Sequence, residues 1–163
     1  AGIRYYLPVF PLLYVFSGNL FVSWYEISKK QKVLSSVLII YLVGSTLSYH
    51  PHYLSYFNEV VLNRMHGYKY LADSNIDWGQ DKNEFKQYLA EHPSALYNPN
   101  RVRDGHFVIR INDLVGVTGS PEKYAWVRDY FEPVNRIGYS YLIYKISPEE
   151  ILQLCTNTDY CDK

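Results

Sequence analysis

The pattern of apolar and polar positions divides the chain into two parts. Residues 5–25, YYLPVFPLLYVFSGNLFVSWY, and residues 33–49, VLSSVLIIYLVGSTLSY, carry no charge. A helix rising about 1.5 Å per residue needs roughly 20 residues to cross hydrocarbon, and 17 is the short end of that range. Pro8 and Pro11 fall in the first turns of the first run, where a missing N–H costs least. The pattern therefore predicts two transmembrane helices over residues 1–49, as a hairpin anchor. The competing reading is a pair of buried helices in a globular core. A signal peptide fits less well, because the first run has no basic leader and is too long for an apolar signal core.

From His50 onward the pattern shortens and alternates, predicting a small α/β domain over residues 50–163. An aromatic helical segment is expected at Tyr53–Asn63, then a loop, then a helix at Gln80–Ala90 opened by a capping box at Asp77 and Gln80. The stretch EHPSALYNPNRVRDG reads as loop. HFVIRI and YSYLIYKI (Tyr139–Ile146) read as strands. Between them Pro121–Phe131 reads as a helix with Tyr124, Val127 and Phe131 on one face. Ser147-Pro148-Glu149-Glu150 opens a last helix, with Ser as cap and Pro in the first turn.

Charge changes this picture in two ways. Lys+Arg and Asp+Glu number 16 each, and this balance argues against a nucleic-acid partner. Only Arg4, Glu26, Lys29, Lys30 and Lys32 of the charged residues precede His50. Three lysines in the short loop EISKKQK predict a cytoplasmic hairpin with both chain ends outside. Tyrosine, at 18 of 163 residues, is abundant, and it suits sites that are apolar at one end and wet at the other. The Ala-Gly start, without Met, fits a processed or truncated product.

The densest polar cluster runs from Asp73 to Glu84, DSNIDWGQDKNE. Counting Asp73 as position 1, oxygen side chains stand at positions 1, 3, 5, 9 and 12, the spacing of a calcium loop. That loop needs Gly at position 6, which here is Trp78. Two other readings stand beside calcium. The oxygens of Asp73, Asn75, Asp77 and Asp81 can cap turns and a helix start. Alternatively, Asp73, Asn75, Asp77, Trp78, Gln80 and Asp81 can form a polar surface for sugar or phosphate, with the indole as a stacking face. Cys155 and Cys161 can form a disulfide or remain two thiols, and with no His nearby a metal site is the weakest reading. His50 and His52 are two further candidate ligands. Arg4 can hold a lipid phosphate or act as an interfacial anchor. No sequence motif for a serine nucleophile, a phosphate loop or a zinc hydrolase is found. No cofactor, resident metal or catalytic residue is assigned.

Three segments together carry a resemblance: G-x-R-Y-Y-L-P-V-F-P (Gly2–Pro11), H-P-H-Y-L-S-Y-F-N-E (His50–Glu59) and D-S-N-I-D-W-G-Q-D (Asp73–Asp81). With Tyr124–Val134 and Ile137–Tyr144, they resemble the C-terminal end of bacterial membrane glycosyltransferases of the GT-C type. Those enzymes are related to protein O-mannosyltransferases and use polyprenyl- or dolichyl-phosphate sugars. The resemblance implies an inner-membrane protein with a periplasmic C-terminal domain. It also implies that Arg4 and Tyr5 meet the phosphate of a polyprenyl-phosphate donor. The expected partners are the bilayer and either other membrane-protein chains or a missing upstream transmembrane region. The family's catalytic acid lies in an upstream outer loop with no counterpart here, and the region between Tyr88 and Gly105 is shorter than in the family. The resemblance thus implies a glycosyltransferase portion without its catalytic loop. The alternative is a non-catalytic structural subunit capping a larger complex, and a carbohydrate-binding module is a third reading.

Overall fold

The structure is a computed structural model that describes residues 9–22, 24–57, 59, 61–72 and 76–162. The chain divides into two compact units, Ala1–Tyr56 and Phe57–Lys163. The division falls a few residues beyond the boundary at His50 expected from the sequence.

The first unit holds helix α1 (Val9–Val22) and helix α2 (Lys29–Leu47). Pro11 lies in the first turn of α1, where its missing N–H has no intrahelical partner to lose. Ser28 caps α2 through a capping box: its hydroxyl accepts from the Gln31 N–H, and the Gln31 side chain accepts from the Ser28 N–H at 3.0 Å. At the other end the Ser48 hydroxyl donates to the Ser45 carbonyl at 2.6 Å. Beyond it, Tyr49 meets Tyr56 edge-on at 5.0 Å.

These helices correct the membrane expectation. The 14 residues of α1 span about 21 Å, short of the roughly 30 Å of a hydrocarbon core. The 19 residues of α2 open with Lys29-Lys30-Gln31-Lys32, so its uncharged part begins only at Val33. Among the described residues no helix is long and apolar enough to cross a membrane. The two-transmembrane-helix anchor over residues 1–49 is overturned. So are the inner-membrane location and the periplasmic placement of residues 50–163, because a basic loop orients a hairpin only where spanning helices exist to be oriented. A charge-free run in sequence counts residues whether or not they share one helix, and here α1 ends inside its run.

The second unit is an α/β domain built on a four-stranded mixed sheet. Its elements in chain order are α3 (Lys82–Glu91), β1 (Leu96–Tyr97), β2 (Gly105–Arg110), α4 (Ile111–Leu114), α5 (Ala125–Tyr130), β3 (Asn135–Ile137), β4 (Tyr141–Ile146) and α6 (Pro148–Asn157). The sheet order is β1-β2-β4-β3, with β1 parallel to β2 and the other pairs antiparallel. Phe107, Val108 and Ile109 are buried in succession, as are Tyr141 through Tyr144, so the two central strands are covered on both faces. On one face Val108, Ile137, Tyr141 and Ile143 pack with Phe85, Tyr88 and Leu89 of α3. On the other, Phe107 meets Trp126 of α5 edge-on at 6.3 Å.

The expected strands and the helix opened by Ser147 are present. Ser147 accepts from the Glu150 N–H and Glu150 accepts from the Ser147 N–H, closing a second capping box. Other expectations shift. Among the described residues of the helix expected at Tyr53–Asn63, the element present is a 3-10 turn at Tyr53–Ser55, and another 3-10 segment occupies Arg64–Lys69. α5 begins at Ala125 rather than Pro121. The loop before β2 contains β1, whose two residues pair with Phe107 and Val108. A disulfide joins Cys155 and Cys161, with Cα atoms 5.4 Å apart.

Candidate functional site

The polar cluster singled out from the sequence lies where the chain enters α3. Asp73 and Asn75 lie outside the described residues, as do Arg4 and Tyr5. Of the described members, Asp77 and Asp81 are buried and Trp78 is two-thirds exposed.

Asp81 is the N-cap residue of α3, but its side chain does not cap the helix. Its Oδ2 instead accepts from the Tyr139 N–H at 2.9 Å, the Ser140 N–H at 3.0 Å and the Ser140 hydroxyl at 2.7 Å. The turn between β3 and β4 is therefore folded around this carboxylate. The turn's geometry depends on Gly138, whose φ of +52° belongs to the left-handed region. A Cβ at position 138 would lie 2.1 Å from the Asp81 carboxyl carbon, so the approach also requires the absence of a side chain. Gln80 completes the junction: its amide donates to the Ile76 carbonyl at 2.7 Å and to the Ser140 hydroxyl at 3.1 Å.

Asp77 makes a second tie to the sheet. Its Oδ2 pairs with Nε of Arg110 at 2.5 Å, and its Oδ1 accepts from the Gly79 N–H at 2.8 Å in an Asx turn. The expected capping box at Asp77 and Gln80 is thus replaced by this turn, with Gln80 accepting from the Trp78 N–H at 2.8 Å. The Asp77 side chain is fully buried and that of Arg110 is one-third exposed. Hydrogen bonding to Asp77 holds the guanidinium pKa above its already high ordinary value. Next to the pair, the Arg110 N–H donates to Asn98 Oδ1 at 3.1 Å, and the Asn98 amide donates to Asp113. Tyr141, at the Arg110 end of the sheet, has its phenol pKa pushed up to about 12, first by burial and then by neighbouring Tyr97 and Asp77.

This geometry shows what the described members of the cluster contact. A calcium loop would turn positions 5 and 9 onto one ion. Here Asp77 faces Arg110 and its own turn, while Asp81 faces the amides of Tyr139 and Ser140. An oxygen that takes three donors in this way, as Asp81 Oδ2 does, holds the turn in place. Trp78 is the member that presents a large exposed surface, a flat apolar face of the kind that stacks on a ring. His50, a candidate ligand, lies 3.0 Å through Nδ1 from the Tyr53 hydroxyl.

The partners that complete the site, Arg110, Gly138 and Ser140, were not legible as such. The signal was present in one respect: I-G-Y-S, starting at Ile137, already stood out as a motif, and it is the turn that grips Asp81. The two motifs are one structural unit whose halves are 58 residues apart along the chain. The chain matches no protein-family model, no curated protein and no solved structure.

Proposed function

We propose that this chain is, or derives from, the C-terminal portion of a glycosyltransferase that uses lipid-linked sugars, and that residues 57–163 serve it as a rigid, non-catalytic accessory domain. The motif segments Gly2–Pro11, Asp73–Asp81 and Ile137–Tyr144 support the family reading. One observation supports the non-catalytic role: Asp77 and Asp81, the buried carboxylates of the motif, are both held by donors of the sheet and its turn. Donors of this kind stabilise the ionised carboxylate and so make it a weaker base toward an acceptor's proton. In this reading the catalytic carboxylate belongs to an upstream region, Arg4 and Tyr5 meet the donor phosphate, and the surface around Asp73 to Asp81, with Trp78, faces the acceptor. Incubating the purified chain with a polyprenyl-phosphate sugar and candidate acceptors tests the proposal, and no transfer is expected. Turnover by this chain alone would overturn it.

A second reading, a structural subunit of a larger assembly, is favoured by α2. Val33, Leu34, Val37, Leu38, Ile40 and Leu42 are each more than half exposed, and exposed apolar side chains gathered on one helix suit an interaction surface. The coding sequence upstream of Ala1 separates the two readings: a long upstream region with an acidic pair favours the enzyme portion, and a nearby start codon favours the subunit.

A further inference from the structure

A groove of about 740 Å³ lies in the second unit, apart from the Asp77 and Asp81 junction, with none of residues 76–81 in its walls. Its volume falls within the roughly 300–1,000 Å³ typical of small-molecule sites. Three pieces of chain build it. Asn100 and Arg101 come from the loop between β1 and β2, Glu122 and Lys123 from the approach to α5, and Tyr160 from the chain end that the Cys155–Cys161 disulfide ties to α6.

The floor is rigid. Trp126 is buried and held edge-on between Phe107 at 6.3 Å and Phe131 at 6.0 Å. The Tyr160 ring stands edge-on to Tyr130 at 5.8 Å. The disulfide closes one wall, keeping Tyr160 next to the start of α5 rather than in a free tail.

The described residues of the rim are polar and carry a positive surplus. Arg101 and Lys123 are exposed, and Arg101 makes no ion pair or hydrogen bond among the described residues. The Lys123 ammonium stands 5.0 Å from the centre of the Tyr124 ring. Glu122 is the opposing charge. It accepts from the Ser120 hydroxyl, and this bond holds its pKa below the usual carboxylate value, so it stays an acceptor at neutral pH.

Two cations and one ionised carboxylate around a rigid polar groove select a particular ligand chemistry. A bare anion would satisfy Arg101 and Lys123 but meet repulsion from Glu122. A neutral sugar would satisfy Glu122 and Asn100 through its hydroxyls but leave the cations unanswered. A molecule with both hydroxyl donors and one anionic group satisfies all of them. We propose that this groove binds an anionic monosaccharide, a sugar bearing a phosphate or a carboxylate. The inference rests on the groove alone and stands or falls separately from the glycosyltransferase reading.

Titration calorimetry on the full chain tests it with four probes: glucose 1-phosphate, glucuronate, glucose and inorganic phosphate. At least one of the two anionic sugars should bind tenfold more tightly than both glucose and inorganic phosphate. Binding of glucose 1-phosphate alone points to a free phosphosugar, and binding of glucuronate alone to a uronate residue of a glycan. Arg101→Glu and Lys123→Glu, both exposed sites, should each weaken the bound sugar at least tenfold without moving the melting temperature. The Cys155→Ser, Cys161→Ser double variant should also weaken it, by loosening the wall that carries Tyr160. Binding of all four probes alike, binding of none at millimolar concentration, or full affinity in Arg101→Glu would overturn the proposal.

Discussion

Residues 1–56 and 57–163 draw on similar apolar residues and dispose of them in opposite ways. In the second unit, Phe107 to Ile109 and Tyr141 to Tyr144 vanish between layers that the same chain supplies. In the first, Val33 to Leu42 form a helix whose apolar side chains remain mostly exposed. Hydropathy records that a side chain gains by leaving water, at about 25 cal/mol per Å². It does not record what covers it. The continuous apolar runs of the two central strands are covered because α3 and α5 of the same unit supply residues to either face of the sheet. The apolar run of α2 has no such cover among the described residues of its own unit.

The strongest way to break this comparison is to attack the junction that holds the second unit together. Gly138→Ala brings a Cβ into the Asp81 carboxylate at a position that also demands positive φ. Asp81→Ala strands two backbone N–H groups and a hydroxyl. Each should cost about 4 kcal/mol, the range of severe core lesions. Denaturant unfolding followed by tryptophan fluorescence measures this. A loss below about 1 kcal/mol in both variants would remove the junction from the account of the fold.

Asp77→Ala comes next. It leaves Arg110 facing a buried site without its partner, but the guanidinium is one-third exposed and can recover water. The expected cost is about 2 kcal/mol, and Arg110→Met in the same background should restore part of it. Additivity of the two substitutions in a double-mutant cycle would show that the pair is not coupled.

A matched pair of substitutions sharpens the contrast between the units. Val108→Ala removes two methyl groups from a fully buried position and should cost about 2 kcal/mol. Val37→Ala on α2, at a position more than half exposed, should stay within about 0.5 kcal/mol. Equal effects would mean that α2 is covered as thoroughly as the sheet.

The smallest expected effect is a pH dependence at His106. Burial first, then Lys145 and His92, lower its pKa below the ordinary value. Its ring nitrogen Nε2 lies 3.0 Å from the Tyr88 hydroxyl, and His92 approaches edge-on at 5.7 Å. A base with a depressed folded pKa is held neutral by the fold. Its contribution is therefore complete above the ordinary histidine pKa and is lost as pH falls through the lower folded value. Acid melts should show a shallower decline for His106→Gln than for the parent chain over that interval. Identical slopes would show that His106 is not coupled to folding.

The elements legible in advance are those whose cause is local. Ser147-Pro148-Glu149-Glu150 writes its own cap and first turn. HFVIRI and YSYLIYKI declare strands through β-branched and aromatic density, whichever strand they pair with. β1 escaped because two residues among Pro, Asn and Ser carry no period, and β2 alone makes them a strand. The rings of Tyr53, Tyr56 and Phe57 stand at helical spacing, yet among the described residues of that segment the element formed is a 3-10 turn at Tyr53–Ser55. In the candidate site, the spacing of Asp77, Gln80 and Asp81 showed that oxygens gather there. It left a helix cap, an ion and a sugar equally possible, because the donors that choose among them lie elsewhere in the chain.

By itself, then, the order of residues determined the α/β character of the second unit, its capped last helix and the polarity of the Asp73–Glu84 segment. The tertiary structure alone decided that Asp81 is clasped by Tyr139 and Ser140, that Asp77 meets Arg110, and that Arg101, Lys123 and Tyr160 share one groove. It also decided that α1 ends after 14 residues within a longer charge-free run. The physical reason is common to all four. Local backbone preference acts over a few residues, whereas the partner of a buried charge and the extent of a helix depend on groups that only the folded chain brings within reach.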